Sequence, residues 1–141
     1  MIPWLYMLDT NIVSHMLRAP EGAAVRRVET VGSDKLCISA LVASELRYGA
    51  VKKQSERLAS LIENILERLD IVAYETAATV HYADIRDQLT GSGNLIGPMD
   101  LLIAAHARAL DLTLVTDNTA EFSRVDGLKL ENWIADQETV P

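Results

Sequence analysis

The chain reads as an α/β fold: one central parallel β-sheet flanked by helices on both faces. Three observations point to it. Short apolar segments suited to strands alternate with longer segments of helical period along the whole chain, and that alternation builds parallel sheets. The segment Met99 to Leu110 is apolar nearly all round, as a helix buried in a covered layer should be. The 141 residues contain no repeat, low-complexity tract or linker, and they suffice for a single domain with a substantial core.

The elements follow in order. Trp4 to Leu8 is a short buried strand. Asp9-Thr10-Asn11 opens a helix over Ile12 to Arg18, stopped by Ala19-Pro20. A second helix spans Gly22 to Val31, Gly32-Ser33-Asp34 is a turn, and Lys35 to Ile38 is the second strand. Ser39 is a good N-cap for a helix over Ala40 to Val51, although Val42 stands where a capping box would place Glu or Gln. Gln54 to Leu69 carries Leu58, Leu61, Ile62, Ile65, Leu66 and Leu69 at steps of three and four, a helical stripe. Ile71 to Ala73 is a strand, Glu75 to Leu89 a helix, and Gly91-Ser92-Gly93-Asn94 a loop. Pro98 suits the first position of the buried helix. Leu112 to Val115 is a strand, Thr119 to Phe122 a helical turn, and Leu128 to Leu130 a last strand.

Composition narrows the function. No apolar run approaches the roughly 20 residues that span a bilayer, and the N-terminus lacks a basic region and a small-residue cleavage site. The single cysteine, Cys37, lies in an apolar segment and reads as core. A cytoplasmic location without membrane contact is expected. The net charge of −7 argues against a generic nucleic-acid binder. It leaves room for an enzyme that meets RNA through a local basic groove and a bound cation, and it suits a basic protein partner. His15, His81 and His106 form no close pair, which argues against zinc. His106 reads as a hydrogen-bonded core residue. Nucleophile-elbow, Walker A and dinucleotide motifs are absent.

Four acids sit where charge is unwelcome. Asp9 ends the first strand, Glu45 interrupts an apolar helix, Asp100 precedes Leu101-Leu102-Ile103, and Asp117 follows the Leu112–Val115 strand. Each has a plainer explanation. Asp9 can cap a helix, Asp100 can interact with a helix dipole, Glu45 can lie on a helix surface, and Asp117 can belong to a turn. In a parallel sheet, however, sites form beyond the carboxyl ends of strands, and one mouth there can gather all four. Clustered carboxylates raise one another's pKa, and Mg²⁺ or Mn²⁺ relieves that conflict because both prefer oxygen ligands.

The ordered strings Met7-Leu8-Asp9-Thr10-Asn11-Ile12, Ile38-Ser39-Ala40 with Glu45-Leu46-Arg47-Tyr48-Gly49-Ala50, Ile96-Gly97-Pro98-Met99-Asp100 and Leu114-Val115-Thr116-Asp117-Asn118 through Phe122 make the chain resemble PIN-domain ribonucleases of the VapC toxin family. The ending Val125-Asp126-Gly127-Leu128 with Glu131-Asn132-Trp133 is similar to theirs too. The resemblance implies a PIN-like domain over residues 1–135, with 136–141 a short tail. It implies a Mg²⁺- or Mn²⁺-dependent endoribonuclease, with Asp9 and Asp100 as metal ligands and Glu45 completing the pocket. Thr116 would brace the site, with Asn11 and Asn118 in support. Many relatives carry the fourth acid two residues after the threonine, where this chain has Asn118. Either Asp117 serves from a shifted position, or it points away and Asn118 serves as a neutral ligand. The implied partners are a VapB-type antitoxin, an RNA substrate and a second copy of the chain, with promoter DNA reached only through the antitoxin.

Two other classes compete. A haloacid-dehalogenase-type phosphotransferase also places Asp after its first strand, but it needs a second acid where this chain has Asn11, and a receiver domain fails likewise. A non-catalytic PIN-like module that binds RNA or protein is the other alternative.

Overall fold

The computed structural model describes residues 2–134, and the expected tail over 136–141 lies outside them. Five strands form one parallel sheet in the order β3-β2-β1-β4-β5. They are β1 Tyr6–Leu8, β2 Leu36–Ser39, β3 Asp70–Val72, β4 Thr113–Val115 and β5 Leu130–Glu131. Between them run α1 Thr10–Arg18, α2 Ala23–Val31, α3 Ala40–Lys53, α4 Glu56–Leu66, α5 Thr76–Ser92, α6 Pro98–Ala109 and α7 Thr119–Phe122. Met7, Leu8 and every residue of β2 are buried. Successive strand residues point to opposite faces, so a strand buried at every position is covered on both. The α/β fold with helices on both sides therefore follows from residue burial as well as from topology.

The ladder fixes the register at the centre of the sheet. Met7 lies opposite Cys37 on one side and Leu114 on the other, and Leu8 faces Val115. The chain leaves β1 for β2 and β3, then returns to β1's other side to form β4. The carboxyl ends of β1 and β4 thus flank a topological switch point, where open α/β sheets bind ligands.

Helix α6 is buried as expected, with Leu101, Ile103, Ala104 and Ala105 almost fully covered, and Pro98 is its first residue. It packs most extensively against α5. His106 is 2% exposed and its Nδ1 lies 2.9 Å from Ser39 Oγ, as a hydrogen-bonded core residue should. Cys37 is fully buried, and burial pushes its thiol up to about 12, so it is inert.

Several boundaries differ from the sequence expectation for local reasons. The helix expected from Gln54 starts at Glu56, because Gln54 adopts a left-handed conformation that ends α3 and Ser55 Oγ then caps Leu58 N. It stops at Leu66 rather than Leu69, which leaves buried Leu69 to lead into β3. The loop expected at Gly91 begins as helix. The amides of Gly93 and Asn94 bond back to Thr90 and Leu89, closing α5 on a left-handed Gly93. Gly22 caps α2 rather than joining it. The last strand shifts to Leu130–Glu131, where Leu130 pairs with Leu114.

Candidate functional site

The switch point is built around Asp9, the first residue beyond β1 and only 4% exposed. Its amide extends the ladder by donating to Val115 O at 2.9 Å. One carboxylate oxygen accepts from Thr10 N at 2.8 Å, as a helix N-cap does. The other accepts from Thr116 Oγ1 at 2.9 Å. The capping and functional explanations of Asp9 are therefore compatible, since one oxygen caps and the other faces β4. Burial raises the Asp9 carboxyl above its ordinary range; the bonds from Thr116 and Thr10 oppose that rise, and the charges of Glu45 and Asp117 add to it.

Thr116 is fully buried one residue past β4. Its hydroxyl donates to Asp9 and accepts from Asn118 N at 3.0 Å, so its orientation is determined from both sides. Glu45, in the second turn of α3, is tied to the same cluster by Thr10 Oγ1, which donates to Glu45 Oε1 at 2.8 Å.

Asp100 is the third residue of α6. Its carboxyl is raised to about 7, first by burial, then by the charges of Glu121, Asp9 and Glu45, and by a hydrogen bond with Glu121. Glu121 did not figure among the expected site acids, yet it is Asp100's strongest charged neighbour. Its Oε1 accepts from Gly97 N at 3.0 Å and its Oε2 from Asn118 Nδ2 at 2.5 Å. The Gly97 amide chiefly lowers the Glu121 carboxyl. The two carboxyls are therefore pushed in opposite directions, Asp100 up and Glu121 down.

Asp117 lies at the rim. It is exposed, and its Oδ1 accepts from Asn11 Nδ2 at 3.1 Å. The sequence carried a signal for Glu121 that went unread: it falls three residues after Asn118, where a capping acid stands in the first turn of a helix. Asn11 thus holds Asp117, whereas Asn118 holds Glu121.

Asp9, Glu45, Asp100, Glu121 and, through Asp9, the exposed Asp117 form one electrostatic group, and none of them is ion-paired with a Lys or Arg among the described residues. No three His, Cys, Asp or Glu side chains among the described residues converge closely enough to chelate an ion as they stand. A hard cation that keeps several waters needs only one or two carboxylates, so an open site suits the all-oxygen donor set.

The PIN domain family model matches residues 6–128. The chain is 43% identical to the tRNA(fMet)-specific endonuclease VapC of Shigella flexneri over 129 residues, 91% of this chain and 97% of that one. It is also 43% identical to ribonuclease VapC2 of Haemophilus influenzae over 131 residues, 92% of this chain and 98% of that one. Among solved structures, VapBC2 from Rickettsia felis bound to a promoter DNA fragment matches with a TM-score of 0.86 and 38% identity, covering 92% of this chain and 98% of that one. DNA-bound VapBC from Salmonella typhimurium matches with a TM-score of 0.87 and 34% identity over the same shares.

Proposed function

We propose a function from a family premise: the chain belongs to the PIN-domain family and, within it, to the VapC ribonucleases. It is the toxin of a toxin–antitoxin pair, an endoribonuclease that hydrolyses RNA phosphodiester bonds. The observation that carries this reading is the group of carboxylates at the switch point that no Lys or Arg ion-pairs among the described residues, with Asp100 raised to about 7. Titratable groups shifted this far by burial and like charge cluster at functional sites.

Mg²⁺ or Mn²⁺ fits the all-oxygen donor set: Asp9 and Asp100 would hold such an ion, with Glu45 and Glu121 completing the acidic pocket. When bound, such an ion supplies Lewis acidity and a more acidic water. The chain's residues supply the rest. Thr116 and the Thr10 amide hold Asp9 in one rotamer, and the Thr10 hydroxyl orients Glu45. Asp100 would have to be deprotonated to hold the ion, so loading would weaken as pH falls below about 7. Asn11 and Asp117 shape the rim, and Asn118 positions Glu121.

We take tRNA(fMet) as the favoured substrate, a reading supported by two relatives described as specific for it, at 43% and 36% identity. A VapB-type antitoxin is the partner, as in the VapBC complexes of Rickettsia felis and Salmonella typhimurium. The net charge of −7 suits a basic antitoxin segment. The chain acts as a cytoplasmic homodimer and meets promoter DNA only through the antitoxin.

Cleavage of tRNA(fMet) by the purified chain, with Mg²⁺, with Mn²⁺ and with EDTA, tests this reading against an Asp9→Asn control prepared identically. A discrete metal-dependent product absent from the control is expected. A folded, metal-loaded chain that cuts neither this RNA nor total bacterial RNA would leave a non-catalytic module instead.

A further inference from the structure

Two rows of side chains run outward from the acids. Thr10, Ser14 and Arg18 follow one another at four-residue steps along α1, and Glu45, Gly49 and Lys53 do the same along α3. Residues so spaced share a helix face. The two rows border one pocket of about 190 Å³. The Thr10–Glu45 hydrogen bond joins the rows at the inner end, and two cations stand about 12 Å away along the helices. Leu17, Leu46, Leu58 and Ile62 form apolar walls. The volume is below the range of drug-sized ligands and suits a single ring system.

The helix dipole favours cations in a last turn, which accounts for the sign of Arg18 and Lys53. It does not account for their bordering the same pocket. Neither makes an ion pair or hydrogen bond with a described residue, in a chain with seven more negative than positive charges. Gly49 keeps the pocket open, because a Cβ there would meet nothing within 4 Å.

We propose that this pocket is a nucleotide subsite: it takes one unstacked base of the RNA next to the cleaved bond, while Arg18 and Lys53 hold the adjoining phosphate. The proposal rests on the endoribonuclease reading and extends it. Apolar side chains can sandwich the faces of a splayed base. The hydroxyls of Thr10 and Ser14 and the Glu45 carboxylate offer polar partners for its edge. The phosphate that follows then meets Arg18 and Lys53, the two cations that line the pocket among the described residues.

The test measures binding and cleavage separately. Labelled tRNA(fMet) is titrated with Asp9→Asn protein by fluorescence anisotropy at several salt concentrations, and cleavage is followed in the active background. Arg18→Ala/Lys53→Ala should weaken binding about tenfold and flatten the salt dependence by about 1.4 in log–log slope. Gly49→Leu, which fills the pocket and replaces a poor helix former, should weaken binding by a similar factor with the salt slope unchanged. Mn²⁺ binding should be the same in all variants. Unchanged RNA affinity in both variants overturns the subsite, and so does wild-type failure to bind any RNA. Variants that keep RNA affinity but escape inhibition by a VapB-type antitoxin also overturn it, by marking the pocket as a peptide seat. If the variants bind as wild type while wild type cuts, the subsite falls and the nuclease stands. If binding depends on Arg18 and Lys53 but nothing is cut, the nuclease reading falls and the pocket remains only as an RNA-binding site.

Discussion

The two ends of helix α6 treat charge in opposite ways. At its start, Asp100 faces Glu121, Asp9 and Glu45, all of the same sign. Near its end, Arg108 donates to His81 Nδ1 at 2.9 Å, to Asp84 Oδ2 at 2.6 Å and to the Asp126 carbonyl at 2.9 Å. The Arg108 side chain is 15% exposed, and its charge is met by the exposed carboxylate of Asp84. One cluster neutralises itself and ties α5, α6 and the β4–β5 connection together. The other leaves like charges facing one another, which a structure built only for stability would avoid. The contrast separates a polar cluster that neutralises its charge from one that leaves like charges together, without reference to any ligand.

The largest expected effect breaks the contrast at its acidic end. Asp100→Asn or Asp9→Asn should lower metal-dependent cleavage by about 10³-fold or more while the metal-free protein stays folded, and its melting temperature should hold or rise as repulsion is removed. A variant with full activity sinks the site assignment. Arg108→Ala should do the reverse. It should cost about 1 kcal/mol of stability, because it removes hydrogen bonds to His81, Asp84 and the Asp126 carbonyl, and leave kcat per folded molecule within about twofold. Urea melts paired with kinetics check this; equal loss of kcat would show that the two ends are not separable.

Glu121 and Asp117 sharpen the comparison within the acidic cluster. Glu121→Gln should lower kcat/KM about tenfold and lower the Asp100 pKa, because Asp100's strongest charged neighbour is removed. Asp117→Asn should change kcat/KM by no more than about threefold, since that carboxylate is exposed and bonded to Asn11. The opposite ranking would return the fourth place to Asp117.

The smallest effect is on the pH dependence of stability. Asp100, ordinarily near 3.8, is raised to about 7 in the fold. The folded state therefore holds this proton more tightly than the unfolded chain does. The resulting stabilisation is complete below the ordinary pKa and is lost as pH climbs through about 7. The raised Asp9 acts in the same direction, while the lowered Glu121 opposes them only at the acid end, near its ordinary 4.5. The metal-free melting temperature should fall by a few degrees between pH 5 and pH 8, and Mg²⁺ at pH 8 should restore it. Asp100→Asn should remove most of the slope; an unchanged slope would place the titrating group elsewhere.

What was legible in the sequence was local. Consecutive apolar residues in Leu36-Cys37-Ile38 and the all-round apolarity of α6 report burial directly, because side-chain period and hydrophobicity are properties of the segment itself. Asp9 stood out for the same reason, as an acid at the end of a buried strand. Helix ends were less legible, since the left-handed Gln54 and the helical Gly91-Ser92 follow from capping bonds that composition does not announce. The membership of the acidic group was decided only by the tertiary structure. Thr10 meets Glu45 across 35 residues and Thr116 meets Asp9 across 107, through a sheet whose order brings β4 back beside β1. Asp117 and Glu121 both lie just after that strand, and which of them turns toward Asp100 depends on where the Gly97 amide stands. A hydrogen bond between segments that are distant in the chain exists only once the fold has formed, so the local capping position marks Glu121 as a first-turn acid but only the fold turns it toward Asp100.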